Sequence, residues 1–164
     1  MKYIRGDLSD LSFCLDICSG IDHVIHTAGI KGSVVVTHER PSSFFVPLLM
    51  MNTNLLEAAR RNKVLSTVYT SSIGAYSDSE VFIETENDFT KPPMDYYPGW
   101  AKRIAEMQIE AYRIEYGLKN FSIVRPSNVF GPGDNFDSEN AMVIPSLISK
   151  IIRGDNPLNV WGDG

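Results

Sequence analysis

Short runs of β-branched and aromatic residues, alternating with helical periodicities, constrain this chain more than any single motif does. The runs lie at residues 3–5, 23–27, 67–71 and 121–125, with a weaker one at 158–161, and polar or glycine breaks bound them. Between them, residues 47–62 set Leu48, Met51, Leu55, Leu56 and Ala59 on one helical face. Arg60, Arg61 and Lys63 near the end suit the helix dipole. Residues 100–116 repeat Ile104, Met107, Ala111 and Ile114 and stop at Gly117. Residues 142–152 carry Ile144, Leu147, Ile148 and Ile151 and stop at Gly154. Strands alternating with helices demand right-handed crossovers, so the expected fold is α/β with a doubly wound parallel sheet.

At 164 residues the chain is long enough for one domain with a real core. A formal net charge of −5 argues against nucleic acid as a partner, because phosphate binding needs a basic surface. No apolar run approaches the roughly 18 to 20 residues of a membrane span, and no signal peptide opens the chain. A cytoplasmic location without membrane attachment is expected. Two cysteines, Cys14 and Cys18, sit one helical turn apart and are expected as free buried thiols. With His23 and His26 they form a string whose inner spacing is far shorter than the roughly 12 residues of a zinc finger, so no metal is expected.

In an open parallel sheet, ligands bind beyond the carboxyl ends of the strands. Polar clusters come after each run: Gly6-Asp7, Thr27-Ala28-Gly29, Ser71-Ser72 and Pro126-Ser127-Asn128. They are expected to line one crevice. Ala28 and Gly29 suit either a tight turn or the close approach of a flat ligand. Ser72 suits either a bond to its own backbone or a bond to a sugar hydroxyl or carbonyl. Lys102, taken alone, reads as a solvated surface lysine. The polar stretch 77–93 is the longest candidate loop, plausible over a ligand cleft. Neither a nucleoside-triphosphate loop nor a hydrolase nucleophile elbow is present. Arg153-Gly-Asp155 reads as a helix end.

These residues in combination resemble the NAD-dependent epimerase/dehydratase branch of the extended short-chain dehydrogenases, near its GDP-fucose synthase-like members. The segments that carry the resemblance are Gly6-Asp7-Leu8, His26-Thr-Ala-Gly29, Asn54-Leu-Leu-Glu-Ala-Ala59, Ser72 four residues before Tyr76, Arg125-Pro-x-Asn128, Gly131-Pro132 and Asp134-Asn135-Phe136. The resemblance implies a partial Rossmann-like, dinucleotide-binding domain over residues 1–164, leading into a substrate lobe. It implies NAD or NADP as cofactor, contacted by Asp7, Leu8, Thr27, Ala28, Gly29, Ser71, Lys102, Pro126, Asn128 and Val129. Its substrate would be a nucleotide-diphosphate sugar, a GDP-sugar favoured, met by Ser72, Asn128 and Asn135. Ser72 would polarise the sugar oxygen, Tyr97 exchange its proton, and Lys102 hold the ribose and tune the phenol. The same resemblance implies a homodimer through the two long helices.

Three positions depart from the pattern. Pro98 stands four residues before Lys102, where a tyrosine is expected, and Tyr97 stands five before, about 100° away on an ideal helix. A helix starting behind Pro98 would leave Tyr97 outside it and free to swing back. Gly74 and Met142 replace the cysteine and histidine that carry epimerisation protons in GDP-fucose synthases, which favours simple hydride chemistry. The chain also starts after the place of the family's glycine-rich phosphate loop. The expected function is therefore that of a nucleotide-sugar epimerase, dehydratase or reductase, with a non-catalytic nucleotide- or partner-binding protein as the alternative. The chain alone is expected neither to hold nicotinamide cofactor tightly nor to turn over a sugar. Calorimetric titration with NADH and NADPH measures this, and micromolar binding is the contrary result.

Overall fold

The computed structural model describes residues 2–30, 37, 39–85, 90–137 and 141–160. The chain divides into two compact units, Met1–Ile30 with Pro41–Ser127, and Lys31–Arg40 with Asn128–Gly164. In the first, α1 (Leu11–Cys18) is followed by β1 (His23–His26), α2 (Pro41–Arg61), β2 (Ser66–Thr70), a short 3₁₀ turn (Ile73–Ala75), α3 (Tyr96–Tyr116) and β3 (Phe121–Val124). The strands pair in parallel in the order β1-β2-β3, with His26 opposite Tyr69 and Tyr69 opposite Ile123. The α/β, Rossmann-like expectation is met.

Alternation along the strands assigns the two faces. His26, Thr67, Tyr69 and Phe121 are buried on one face, towards α2 and α3. Ile25 is 71% exposed and Val124 44% exposed on the other. The core beneath the helices joins Cys14 and Cys18 of α1 to Leu55, Leu56, Ala58 and Ala59 of α2 and Ala105, Ile109 and Tyr112 of α3. Burial drives both thiols towards higher pKa, Cys14 to about 11, as expected for unreactive core cysteines. Asp10 caps α1 by accepting the Ser12 N–H at 2.8 Å. Gly117 ends α3 in the left-handed region at φ 64°, which costs glycine nothing.

Several expectations change. Residues 3–5 form no strand: Tyr3 is 87% exposed, and no described segment pairs with them. Residues 158–160 form none either, and 161 lies outside the described residues. The three remaining strands keep their places within a residue. Helix α2 begins six residues earlier than its periodicity suggests, with Pro47 inside it. Burial of Phe44 on this added length, together with Leu48 just past the proline, offsets the roughly 3 kcal/mol that an interior proline costs.

The larger correction concerns α3. Its stripe of Ile104, Met107, Ala111 and Ile114 faces outward, with Ile114 78% exposed. The buried face instead carries Ala101, Arg103, Ala105, Glu106, Ile109 and Tyr112. Hydrophobic periodicity misleads here because two buried charges occupy the inner face. The second unit holds α4 (Val143–Arg153), ended by Gly154, with Lys150 donating to the Asn159 carbonyl at 2.8 Å.

These placements predict contrasting costs for two α3 residues. Ile109→Ala should destabilise by about 2–5 kcal/mol, and Ile114→Ala by less than about 0.5 kcal/mol. Urea unfolding of this chain checks both.

Candidate active site at the strand ends

Parallel pairing brings the carboxyl ends of β1, β2 and β3 to one edge, succeeded in sequence by Thr27-Ala28-Gly29, Ser71-Ser72 and Pro126. Around this edge α3 fixes the segment after β2. Lys102 donates from Nζ to the Thr70 carbonyl at 2.7 Å and stands 5.2 Å from the centre of the Tyr69 ring. It is therefore half-buried against the strand end, not a solvated surface lysine. Burial lowers its pKa, and the Glu106 carboxylate opposes that shift.

Ser72 caps the 3₁₀ turn. Its Oγ accepts the Gly74 N–H at 3.1 Å, and among the described residues its own O–H has no acceptor. Both uses open to this serine are thus compatible: the oxygen serves the backbone while its proton is free to donate. The turn is pinned to β3 by Ser71 N–H to the Val124 carbonyl (2.8 Å) and Ile73 N–H to the Pro126 carbonyl (3.0 Å). Gly74 and Gly99 let the turn close onto α3. A Cβ at Gly99 would stand 2.5 Å from the Gly74 carbonyl oxygen, and one at Gly74 2.7 Å from the Asp95 Cβ.

Two buried charges, Glu106 and Arg103, and the half-buried Arg125, which periodicity did not single out, complete the arrangement. Glu106, 3% exposed, accepts the Ser71 hydroxyl and both arms of the Arg125 guanidinium, at 2.9 and 2.7 Å. Arg125 lies 4.8 Å from the centre of the buried Tyr76 ring. Arg103, fully buried, donates to the Ala75 and Lys91 carbonyls and, at 2.9 Å, to the Ser77 hydroxyl. An isolated antiparallel bridge between Ser77 and Pro93 closes the base of the candidate loop. The sequence signal for these residues was the charge itself, at helical spacings that set Lys102 and Glu106 one turn apart.

The other expected residues occupy varied surroundings. Asp7 is exposed and its carboxylate accepts the Ser9 N–H at 2.8 Å, a bond that lowers its pKa. Leu8 packs on the core, and its carbonyl accepts the Cys14 thiol. Thr27 and Gly29 are exposed and Ala28 is half-buried, and among the described residues nothing lies within 4 Å of where a Gly29 Cβ would stand. Asn128, Val129 and Asn135 belong to the second unit, where the Asn135 side chain accepts the Asp137 N–H at 2.9 Å. Tyr97 lies inside α3, not outside it, because the helix starts at Tyr96. Proline is tolerated in a first turn, whose N–H groups lack intrahelical partners, so Pro98 does not delay the start. The Tyr97 ring meets those of Phe45 (6.0 Å) and Tyr96 (5.1 Å).

The profile of the NAD dependent epimerase/dehydratase family matches residues 2–164. The chain belongs to this family. It is 32% identical over 171 aligned positions to a dTDP-4-dehydro-6-deoxy-D-allose reductase of a Streptomyces species, covering 100% of this chain and 52% of that protein. To the GDP-L-fucose synthase of Dictyostelium discoideum it is 30% identical, over 87% of this chain and 46% of the relative. Among solved structures it is similar to a GDP-L-fucose synthetase from Naegleria fowleri bound to NADP, with a TM-score of 0.80 and 27% identity over 97% of this chain and 55% of that one. The chain thus spans about half the length of the curated relatives it matches. No helix among the described residues is long and apolar enough to cross a membrane.

Behind the site, His26 is buried, with Nε2 3.0 Å from the Asn52 Oδ1. Burial, and secondarily the Lys102 charge, depress its pKa from 6.5 to about 4. Between these values the unfolded chain binds a proton that the folded chain does not, so stability should fall as pH drops from 6.5 towards 4. The loss from this group is on the order of 3 kcal/mol when complete. His26→Gln should flatten stability across that window in urea titrations at several pH values; an unchanged slope would assign the loss elsewhere.

Proposed function

We propose that the protein carrying this chain is a nicotinamide-dependent enzyme of a nucleotide-diphosphate sugar, acting as a reductase in preference to an epimerase. The observation that carries this reading is the half-buried Lys102 ammonium anchored at the β2 end, two residues from a serine whose proton lacks an acceptor among the described residues. Together with family membership, this is a lysine and a serine disposed for carbonyl chemistry rather than for surface solvation. The alcohol–carbonyl interconversion needs a donor to the sugar oxygen and a group that moves its proton.

The residues present fit a nicotinamide dinucleotide. Among the described residues no atom stands within 4 Å of a Gly29 Cβ, and this, with the half-buried Ala28, would admit a flat group close to the backbone after β1. Lys102 would hold a ribose hydroxyl, and Asp7, with Leu8, would meet the adenine end. When bound, NAD or NADP supplies or accepts the hydride at the sugar carbon. Ser72 donates its hydrogen bond to the sugar oxygen and orients it. Tyr97 passes the proton to or from that oxygen. Family resemblance assigns the remaining cofactor and sugar contacts to Pro126 and, in the second unit, to Asn128, Val129 and Asn135.

Reduction is favoured over epimerisation because neither Gly74 nor Met142 can exchange a proton. A side chain at position 74 would also collide with Asp95. The Streptomyces relative is itself a reductase, and GDP-sugar and dTDP-sugar relatives leave the nucleotide to be assigned by assay. The outward apolar stripe of α3 supports the companion proposal of a homodimer through α2 and α3. Pro98 at the expected tyrosine position favours a second reading, a non-catalytic ligand-binding protein.

Assays of the full-length protein with NADH, NADPH and a panel of nucleotide sugars separate the two. Ser72→Ala, Lys102→Met and Tyr97→Phe should each lower turnover by about 10²-fold or more. An unchanged rate in Tyr97→Phe alone would remove that phenol from the mechanism. Ligand binding without turnover in the unsubstituted protein would support the second reading.

A further inference from the structure

The turn that presents Ser72 is gripped along its length by one face of α3. Lys102 takes the Thr70 carbonyl before it, Glu106 the Ser71 hydroxyl at its start, and Arg103 the Ala75 carbonyl at its end. Arg125, forked onto Glu106, lies over the ring of Tyr76, the residue that closes the turn. One carboxylate therefore reaches both ends of the turn, directly through Ser71 and indirectly through Arg125 and Tyr76.

We infer that Glu106 is a positioning residue of this site: its buried carboxylate fixes both ends of the Ser72 turn and stands as counter-charge one helical turn behind the Lys102 ammonium. A carboxylate that is 3% exposed survives only with partners, and the described partners are the Ser71 hydroxyl and the Arg125 guanidinium. Both lie at the carboxyl ends of neighbouring strands, so satisfying Glu106 ties β2 to β3 where the site begins. The helical spacing of 102 and 106 puts the two side chains on one face. Among the described residues, the titratable groups that interact with Lys102 are Glu106 on its own helix, Tyr69 on β2 and His26 on β1. Burial keeps the Tyr69 phenol protonated far above neutrality and His26 uncharged down to about 4. Glu106 is accordingly the charge among them that acts on the ammonium near neutral pH. The functional meaning of this inference rests on Ser72 and Lys102 being the reacting pair; its test does not.

The test uses this chain and reads Lys102 directly. Amine acylation is followed by peptide mass spectrometry from about pH 7 to about pH 11, with the exposed Lys63 and Lys119 as internal references. Glu106→Gln should move the Lys102 midpoint down by roughly one pH unit or more while the references hold, and Glu106→Asp should restore most of the shift. A folded Glu106→Gln protein with an unmoved Lys102 midpoint overturns the inference, since a structural loss alone would lower the melting temperature and nothing more. Ser71→Ala provides a second arm that keeps the charge and decides the matter should Glu106→Gln not fold. Its amides at residues 73–76 should exchange roughly tenfold faster, the scale of one hydrogen bond to a charged group, with the Lys102 midpoint unchanged. Unaltered exchange there overturns the positioning role. Turnover assays of Ser72→Ala test the enzymatic reading separately, so failure of either can be told from failure of the other.

Discussion

Two charged side chains on the inner face of α3 cannot be buried without partners, and the rest of the site depends on how those partners are found. An unpaired buried charge costs several kcal/mol, so Arg103 and Glu106 tolerate their positions only through complete hydrogen bonding. Glu106 obtains it from Ser71 and Arg125, at the carboxyl ends of β2 and β3. Arg103 obtains it from the backbone of the serine turn and from the loop beyond it. Such pairs contribute little net stability against a well-packed apolar core, yet removing one partner costs about 3–5 kcal/mol. They specify geometry more than they add stability.

The same helix carries a second, opposite surface. Helix α2 turns Leu48, Leu55, Leu56 and Ala59 to the sheet, and its outer contacts with α3 are polar: Tyr112 donates to Glu57, which also pairs with Arg60 and Arg61. Those bonds hold the Glu57 carboxyl down to about 2, with the Arg60 hydrogen bond the largest cause. Helix α3 buries the small residues Ala101 and Ala105, the Ala101 carbonyl accepting the Asn52 side chain of α2 at 3.4 Å, and leaves Ile104, Met107 and Ile114 outside. Charged side chains inside and an apolar stripe outside invert the usual amphipathic pattern. The inversion allows Lys102, Arg103 and Glu106 to reach the strand end.

Gly74 and Gly99 impose a further limit on chemistry. The serine turn and the first turn of α3 touch backbone to backbone, and a Cβ at either position would meet neighbouring atoms at 2.7 Å or less. A proton-exchanging side chain two residues after Ser72 is thereby closed off by packing as well as by sequence. Packing at this position therefore supports the proposal of reduction in preference to epimerisation.

The sequence by itself determined the class of fold and the neighbourhood of the site. Parallel pairing was legible because three short β-branched runs alternate with helices, and a parallel sheet gathers the segments after its strands at one edge. The segments after β1, β2 and β3 were legible for that reason, whereas Lys102, a surface lysine by pattern alone, was singled out only by the family resemblance. Local pattern failed wherever an element's state depends on a partner far away in the chain. Residues 3–5 have strand composition but no described neighbour to bond, and the start of α2 was decided by burial of Phe44. The orientation of α3 was decided by hydrogen bonds to residues 19 to 35 positions away: Glu106 to Arg125 and Ser71, Lys102 to the Thr70 carbonyl, and Arg103 to the Ala75 carbonyl. Hydrophobic periodicity measures which side chains avoid water and is silent on which buried charges find partners. Only the tertiary structure could decide that Lys102 leans on the strand end and that Glu106 holds the serine turn.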